Sequence, residues 1–356
     1  MSNYQTSQLN SQIFVLSIDY KSSPIEVREK FAFSMLSSAA FEEALQMLLT
    51  KIGSTIILST CNRTEFYFSS KYSPEQVKEK AIYSISELKK VDISLIREHL
   101  NFKIGDEAIE HLFRVSAGLE SMILGEGQIL NQLKTAYSQC FKYSDCFLNQ
   151  LFQKALAVGK KVRAQTEIAK GAMSVPAAAL QIIQGLISPQ EISQKNIMIL
   201  GSGQVAELCL DHLHSQGATN NITLVSRSES HTLLLTKYGL TKSIDYTKLQ
   251  DYLYDYDIIL ACTNAPHYII KPEYFELKNN KKFIICDMTL PRNVDPKVAE
   301  KDFIKLIDLD YLQNTVKENA TKRSGQIQKA ETLISLEMKR LQKWLEIKSQ
   351  QYIHSV

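Results

Sequence analysis

Long apolar runs are missing from this sequence of 356 residues. No run approaches the roughly 20 apolar residues that a helix needs to cross a bilayer. The start, Met1-Ser2-Asn3-Tyr4-Gln5, is polar and lacks the apolar segment of a secretory signal. These absences argue against a membrane protein and predict a cytoplasmic protein with no membrane partner.

Closely spaced cysteines and a large excess of one charge are missing as well. The six cysteines, at positions 61, 140, 146, 209, 262 and 286, form no CxxC and no regular pattern with the seven histidines. We therefore predict no metal site and no disulfide framework, and we expect free thiols. A net charge of +3 is too small to indicate nucleic-acid binding by itself, although a local basic patch would suffice for it.

What is present is the composition of a globular protein, with 44% hydrophobic and 22% charged residues. The length allows two or three domains. Residues 1–165 read as an α+β unit with a helical half, in which Asp106 caps a helix and no strand appears before residue 196. Residues 172–305 alternate strands and helices, and residues 308–356 are dominated by one long helix. The predicted class is a multidomain α/β protein.

Cys61 lies between two short apolar segments that read as strands. An isolated cysteine on such a connection is most often a packing residue. Arg63, two residues away, would favour the thiolate and so a nucleophilic role. Both interpretations remain open on these residues alone.

The helical half contains two polar segments. The first, Gly118–Gln128, is bounded by glycines, and Gln128 and Gln132 share a helix face beyond it. The second is the basic cluster Gly159–Arg163. Each segment is either a solvated surface or a functional one, a pocket lining in the first case and a set of phosphate contacts in the second.

A glycine motif, Gly201-Ser202-Gly203-Gln204-Val205-Ala206, stands between a predicted strand and a predicted helix. In that context Gly201 permits the turn, Gly203 lets the backbone approach a pyrophosphate, and Ala206 suits close packing of helix on strand. Residues 172–305 are therefore predicted to be a Rossmann-like dinucleotide domain. The next strand ends at Ser226-Arg227-Ser228, without the acidic residue that NAD prefers, so NADP is favoured unless Arg227 is only a surface residue.

The C-terminal region carries an apolar stripe at helical spacing, formed by Ile327, Ala330, Ile334, Met338, Leu341 and Leu345. A helix of about forty residues would be about 60 Å long. We expect such a helix to span domains or to meet a second subunit.

Four motifs together give the chain a resemblance to the glutamyl-tRNA reductases. They are Ser59-Thr60-Cys61-Asn62-Arg63-Thr64-Glu65, the segment from His111 to Met122, Leu124-Gly125-Glu126-Gly127-Gln128-Ile129-Leu130, and the segment from Asp287 to Pro296. The resemblance implies NADPH-dependent reduction of glutamyl-tRNA(Glu) to glutamate-1-semialdehyde, the first step of 5-aminolevulinate and porphyrin synthesis. It also implies a catalytic, glutamyl-tRNA-binding domain over 1–165, an NADP-binding domain over 172–305 and a shortened dimerisation region over 308–356.

The resemblance also implies roles for single residues. Cys61 would form a thioester with the glutamyl group, and His111 would serve catalysis as acid, base or orienting residue. The substrate pocket would comprise Thr60, Asn62, Arg63, Ser121, Glu126, Gly127, Gln128 and Gln132, with Arg63 on the substrate carboxylate and Glu126 on its ammonium group. The cofactor would be held by residues Gly201 to Ala206, namely Gly201, Ser202, Gly203, Gln204, Val205 and Ala206, and by Ser226, Arg227 and Ser228.

The chain departs from the family pattern in two places. Tyr20 stands where the family usually has a histidine, and the sequence ends at Val356 with little beyond the long helix. A homodimer through this helix and transfer of the product to glutamate-1-semialdehyde aminomutase are further implications of the resemblance. The alternatives are an NADP-dependent dehydrogenase of a small free metabolite and a non-catalytic, tRNA-binding or regulatory relative.

Overall fold

The computed structural model describes residues 11–33, 36–169, 174–217, 221–226, 230–240, 242–275, 281–317 and 324–353. The chain forms two compact units, Met1–Ala172 together with Ala320–Val356, and Met173–Asn319. In the described part of the chain, no helix combines the length and the apolar character that a membrane span requires.

The N-terminal unit is an α+β structure. Its elements are β1 (Gln12–Asp19), α1 (Ile25–Phe31), α2 (Ser38–Lys51), β2 (Ser54–Ser59), β3 (Arg63–Ser70), α3 (Pro74–Lys89), α4 (Ile93–His99), β4 (Asn101–Ile104), α5 (Asp106–Ser116), α6 (Gln128–Cys140), α7 (Cys146–Gln165) and the C-terminal helix (Ser324–Ile353). The strands form an antiparallel sheet of order β2-β3-β1-β4. Strand β4 was not predicted from the sequence, and the cap residue of α5 is Gly105 rather than Asp106.

Both faces of the central strand β3 are covered, because all eight of its residues are buried. Side chains alternate along a strand, so Phe66 and Phe68 point to one face while Arg63, Glu65 and Tyr67 point to the other. On the second face the ring of Tyr67 meets Phe152 of α7 edge to face, with 5.1 Å between the ring centroids. Two charged residues of one strand are therefore enclosed in an otherwise apolar core.

The C-terminal helix has 30 residues and packs on the N-terminal unit. The apolar stripe predicted from the sequence faces this unit's core: Ala330, Ile334 and Leu341 are buried, and Ile327, Met338 and Leu345 pack beside them. Glu337, itself buried, binds Lys154 and Lys161 of α7 through contacts of 2.5 and 2.7 Å. Helices α5 and α7 of the same unit cover this stripe, and the expectation that the helix spans domains or meets a second subunit stays a prediction.

The second unit is a doubly wound parallel α/β structure, which confirms the predicted class. It contains α8 (Val175–Leu186), α9 (Pro189–Ile192), β5 (Ile197–Leu200), α10 (Gln204–Ser215), β6 (Ile222–Ser226), α11 (Ser230–Tyr238), β7 (Lys242–Asp245), α12 (Leu249–Tyr252), β8 (Ile258–Ala261), β9 (Phe283–Asp287), β10 (Ile304–Ile307) and α13 (Leu309–Lys317). The sheet is parallel, with the order β10-β9-β8-β5-β6-β7. The chain reverses its direction of travel across the sheet between β5 and β8, the position at which such folds bind ligands.

Candidate active site and nucleotide-binding site

Cys61 lies on the tight connection between β2 and β3. Backbone and side-chain hydrogen bonds fix this connection: Thr60 N donates to Arg63 O at 2.8 Å, and Asn62 N donates to Thr60 Oγ1 at 3.2 Å. Arg28, a buried residue of α1, donates through Nη1 to the carbonyl of Cys61 at 3.0 Å. Cys61 is partly exposed, whereas Cys140, Cys209, Cys262 and Cys286 are buried. Cys61 therefore lies on a connection of fixed course and, as a residue, retains some exposed surface.

The surroundings of Cys61 keep its thiol protonated. Burial raises the pKa of Cys61 to about 12, and the negative charge of Glu126 acts in the same direction. Arg28 and, more weakly, Arg63 lower the pKa of the thiol, as the sequence predicted for Arg63. These two cations are outweighed, so formation of the thiolate requires a group that removes the proton.

Glu65 connects two of the predicted site residues, Arg63 and His111. Its Oε1 accepts from Arg63 Nη1 at 2.6 Å and from His111 Nε2 at 2.8 Å, and its Oε2 accepts from the Tyr67 hydroxyl at 2.5 Å. Arg63, Glu65 and His111 are 2%, 0% and 6% exposed. Burial alone would raise the pKa of Glu65, but His111, Arg63 and Tyr67 leave it well below its ordinary value.

The ionised Glu65 determines which nitrogen of His111 carries a proton. A carboxylate only accepts hydrogen bonds, so His111 Nε2 must donate. The remaining ring nitrogen, Nδ1, is then the atom of His111 that is available to a substrate. Helix α5 supplies this arrangement because it places His111 on the same side as the buried residues Ala108, Leu112 and Val115.

The loop of residues 118–127 closes the site over β3. Arg63 Nη2 donates to the carbonyl of Glu120, and the Tyr20 hydroxyl donates to the carbonyl of Ser121 at 3.1 Å. Gly125 adopts a φ of +77°, and a Cβ there would lie 1.9 Å from the carbonyl oxygen of Ile168. Only glycine fits this position, so the course of the loop past β3 is fixed by its backbone.

Glu126 is the ionisable residue that this loop brings to the thiol. The side chain is 7% exposed, and burial raises its pKa to about 7, although Arg63 opposes the shift. Arg163 Nη1 holds the loop from the other side by donating to the carbonyls of Gly125 and Glu126 at 3.0 and 3.1 Å. A carboxyl group that titrates near neutral pH beside a nucleophile is suited to exchange a proton with it.

The remaining predicted pocket residues surround this cluster less closely. Gln128 and Gln132 are half-buried on the first two turns of α6 and share a face, as their spacing predicted. Gly127 is exposed, and a Cβ there would lie 3.1 Å from Arg163 Nη2. Ser121 is buried at 8% exposure.

Two of the three cations in the basic cluster at Gly159–Arg163 bind other parts of the N-terminal unit. Lys161 binds Glu337 of the C-terminal helix at 2.7 Å, and Arg163 binds the 118–127 loop. Lys160 is exposed. Lys161 and Arg163 therefore hold structural elements together, and a role of the cluster in phosphate contacts stays a prediction.

Sequence reasoning assigned no role to Glu65, Tyr67 or Arg28. A usable signal was present, because Arg63, Glu65 and Tyr67 recur at a spacing of two in a strand flanked by apolar residues. Such spacing places both charges on one sheet face, where each must find a partner. The third partner of Glu65, His111, lies 46 positions further along the chain, so a local sequence pattern could not identify it.

The glycine motif of the second unit has the geometry of a phosphate-binding turn. Gly201 has a φ of +110°, and a Cβ there would lie 2.7 Å from the carbonyl oxygen of Cys262. A Cβ on Gly203 would meet nothing within 4 Å, so the space beside this residue is open to a ligand. Gly203 is also the cap residue of α10, and no side chain occupies its cap position. The free N–H groups of this helix start fit a pyrophosphate.

The other predicted cofactor residues lie around this turn. Gln204 is exposed and begins α10, Val205 is half-buried, and Ala206 is buried against the sheet. The hydroxyl oxygens of Ser202 and Ser226 are 2.9 Å apart, so the turn and the end of β6 are in contact. Arg227 and Ser228 lie outside the described residues.

Comparison with known proteins assigns the family. A family model described as "Glutamyl-tRNAGlu reductase, N-terminal domain" matches residues 16–166, and one described as "Shikimate / quinate 5-dehydrogenase" matches residues 183–315. The chain is 34% identical to the glutamyl-tRNA reductase of Geobacter sulfurreducens over 341 residues, which cover 94% of this chain and 77% of the relative. The chain belongs to the glutamyl-tRNA reductase family.

Other members of the family agree with this assignment. The glutamyl-tRNA reductase of Thermus thermophilus is 34% identical, over 93% of this chain and 80% of the relative. The solved glutamyl-tRNA reductase of Methanopyrus kandleri is 26% identical, covers 96% of this chain and 82% of its own, and superposes with a TM-score of 0.51. Because these relatives match the catalytic and nucleotide units together, they do not favour a free-metabolite dehydrogenase, which the model over 183–315 alone would allow.

Proposed function

We propose that this protein reduces glutamyl-tRNA(Glu) to glutamate-1-semialdehyde with NADPH, releasing the tRNA, as the first step of 5-aminolevulinate and porphyrin synthesis. The observation that carries the proposal is the partly exposed Cys61 beside the buried, titratable Glu126. A dehydrogenase acting on a simple alcohol needs no such thiol. Membership of the glutamyl-tRNA reductase family supplies the substrate class.

The first step transfers the glutamyl group to Cys61. Glu126 accepts the thiol proton, the sulfur attacks the ester carbonyl, and the bond from that carbonyl to the ribose oxygen breaks. Glu126 then returns the proton to the leaving oxygen, so no further proton donor is required. Protonation of Glu126 during attack also removes the negative charge that disfavours the thiolate.

Other residues of the cluster orient the substrate in this proposal. Arg63 keeps three N–H groups beyond those bound to Glu65 and Glu120, which leaves it able to contact the substrate carboxylate. His111 offers Nδ1 to the substrate because Glu65 occupies Nε2. Thr60, Asn62, Ser121, Gly127, Gln128 and Gln132 complete the pocket.

The second step releases the acyl group as the aldehyde. NADPH supplies the hydride that makes this cleavage of the carbon–sulfur bond reductive. The sulfur leaves as a thiolate and takes up a proton, which restores Cys61. The turn from Gly201 to Ala206 binds the pyrophosphate, and Ser226, Arg227 and Ser228 bind the 2′-phosphate, which accounts for the preference for NADPH over NADH.

Single-turnover assays with Cys61→Ser test the chemistry. Without NADPH the unmodified protein should accumulate a glutamyl thioester, and with NADPH it should form semialdehyde. We expect Cys61→Ser to lose both products by more than about a thousandfold, since no equivalent nucleophile remains. The matched control is Cys146→Ser, which alters the exposed cysteine at the start of α7 and should leave both products unchanged.

Semialdehyde formation by Cys61→Ser at the unmodified rate would rule out the thioester route. Oxidation of NADPH with a free metabolite but not with glutamyl-tRNA would instead support the dehydrogenase alternative. In this proposal the N-terminal unit performs acyl transfer and the second unit binds the nucleotide.

Two partners complete the proposal. A second copy of the chain binds the face of the C-terminal helix that carries Leu336, Trp344 and Ile347, which are 48%, 37% and 46% exposed. Light scattering should then give twice the mass of one chain for the unmodified protein and the mass of one chain for Trp344→Glu; a monomer in both would contradict the proposed dimer.

Glutamate-1-semialdehyde aminomutase takes over the aldehyde directly, which predicts that semialdehyde-trapping reagents fail to intercept the aldehyde when both proteins are present.

A further inference from the structure

A largely buried polar cluster lies at the carboxyl edge of the second unit's sheet, next to the glycine turn. Its members are Thr263, Asp287, Thr289 and Asn293, which we call the Asn293 cluster. Asp287 is 1% exposed and Asn293 is 0% exposed. These residues follow β8 and β9, which are adjacent strands.

Asp287 organises the segment after β9. Its Oδ1 accepts from the backbone N and the hydroxyl of Thr289 at 3.1 and 2.5 Å, and its Oδ2 accepts from the backbone N of Asn293 and of Val294, both at 2.8 Å. Four donors to one carboxyl group fold residues 287–294 into a defined turn. The turn therefore presents Asn293 at a fixed place.

Asn293 joins this turn to the segment after β8. Its Oδ1 accepts from the Thr263 hydroxyl at 2.6 Å, and its Nδ2 donates to the carbonyl of Ala265 at 3.1 Å. Its own carbonyl accepts from Ile269 N and Ile270 N at 2.6 and 3.0 Å. Because both polar atoms of the amide bind the 263–265 segment, this one side chain sets the distance between the two segments.

The 263–265 segment in turn lies against the glycine turn. The carbonyl oxygen of Cys262 and the Cγ2 atom of Thr263 would be 2.7 and 3.2 Å from a Cβ placed on Gly201. Thr263 is half-buried and Asn264 is exposed, so this segment has a surface that a ligand can touch. Asn293 thus fixes the 263–265 segment, which forms a wall packed against the glycine turn at Gly201.

The sheet order tells which half of a dinucleotide this wall faces. The pyrophosphate lies at the turn after β5, and the 2′-position of the adenosine ribose is read at the end of β6. A dinucleotide extends across the point where the strand order reverses. Since β6 lies on one side of β5 and β8 on the other, a bound dinucleotide would extend its nicotinamide half toward the ends of β8 and β9.

We propose that Asn293 is a positioning residue for the nicotinamide half of the cofactor, acting through the 263–265 segment that it holds against Gly201. The proposal rests on the proposed function for the identity of the cofactor. Asn293 itself touches no ligand, since its side chain is wholly buried. Removal of the Asn293 side chain should loosen the 263–265 segment and leave the residues that bind the adenosine half unchanged.

The proposal can be tested by measuring, with calorimetry, the affinity of the protein for NADPH and for 2′,5′-ADP, which lacks the nicotinamide half. For Asn293→Ala we expect NADPH affinity to fall at least about tenfold and 2′,5′-ADP affinity to change less than about threefold. The matched control is Asn196→Ala, at the opposite edge of the same sheet, where the amide donates to Asp255 O at 2.8 Å. This control should leave both affinities unchanged.

An equal loss for both ligands, or no loss for either, would overturn the proposal. If Asn293→Ala fails to fold, Thr263→Val removes the hydroxyl that binds Asn293 while retaining shape, and the same selective loss is expected. Formation of the Cys61 thioester without NADPH should be unaffected in Asn293→Ala. If the unmodified protein forms no thioester, the proposed function fails, but the comparison of the two nucleotides still decides the role of Asn293.

Discussion

The two units place their buried polar groups differently. In the N-terminal unit Arg63 and Glu65 lie within a strand, on a sheet face that α5 and the 118–127 loop cover. In the second unit Asp287 ends strand β9, Asn293 lies beyond it, and both bind mainly backbone groups. The buried groups of the N-terminal unit are stabilised by opposite charges, whereas those of the second unit are stabilised mainly by hydrogen bonds to the backbone.

This difference determines how each site responds to change. Loss of one charge within a covered sheet face leaves its partner buried and uncompensated, which is costly. Loss of the Asn293 amide leaves only neutral groups without a partner, which costs less than an uncompensated charge. We therefore expect the largest effects on stability in the Glu65 cluster and selective effects on binding at the sheet edge.

Glu65→Gln should have the largest effect. The amide cannot neutralise Arg63, so the free energy of unfolding should fall by about 4 kcal/mol, and thioester formation should fall with it because His111 loses its anchor. Denaturant titration and single-turnover assays provide the measurements. In the unmodified protein this contribution is present at neutral pH and is lost as the pH falls below the ordinary pKa of glutamate, because the pKa of Glu65 is lowered in the folded state.

The control for this variant is Glu79→Gln, which breaks the exposed pair of Glu79 with Arg97. Exposed pairs contribute less than about 1 kcal/mol, so its denaturation midpoint should barely move. Equal losses of unfolding free energy for Glu65→Gln and Glu79→Gln would show that the buried charges contribute no more to stability than the exposed pair does.

Glu126→Gln should raise the stability of the protein and lower its activity, which separates the two effects of this residue. The pKa of Glu126 is raised from 4.5 to about 7 by burial, so the folded state favours the protonated form and loses stability as the pH rises from 4.5 through 7. The amide avoids this loss, and the variant should be more stable than the unmodified protein by roughly 3 kcal/mol at pH 8. Its thioester formation should fall at least about a hundredfold, since the proton acceptor is absent.

At pH 4 the two proteins should be equally stable, which provides an internal control. Thioester formation by the unmodified protein should rise as the pH increases through about 7, where Glu126 becomes ionised. A variant that is less stable at pH 8, or that forms thioester normally, would exclude the proton-transfer role.

Tyr20→Phe should have the smallest effect. Burial raises the pKa of Tyr20 to about 12, so its hydroxyl remains a donor, and its loss leaves the carbonyl of Ser121 with one hydrogen bond fewer. We expect a cost of about 1 kcal/mol, seen as faster amide hydrogen exchange within the 118–127 loop. Tyr20→His, which restores the residue usual in the family and keeps a donor, should recover part of this protection, whereas Tyr72→Phe at an exposed position should change nothing.

The nucleotide unit could be predicted from the sequence because its signals are local. The strand Ile197–Leu200, the turn at Gly201 and the helix from Gln204 are consecutive, and each is encoded by its own residues. The elements that could not be predicted from the sequence also have a physical explanation. Strand β4 has only exposed and half-buried residues, so no alternating pattern marks it.

The catalytic cluster could be predicted only in part. The motif around Cys61 indicated candidate residues, but the pKa of the thiol is raised by burial and by Glu126, which lies 65 positions further along the chain. The bond from Tyr20 to Ser121 joins residues 101 positions apart. Contacts at such separations are set by packing, and no local pattern encodes them.

The C-terminal helix has a consequence for how the protein is made. Ala330 and Ile334 complete the core around α5 and α7, yet they are synthesised after the whole Met173–Asn319 unit. A nascent chain therefore carries Cys61 long before the hydrophobic core beneath α5 and α7 is sealed, and it must close a loop of more than a hundred residues to seal it. Until translation passes Leu341, that uncovered apolar surface is a target for chaperones and proteases.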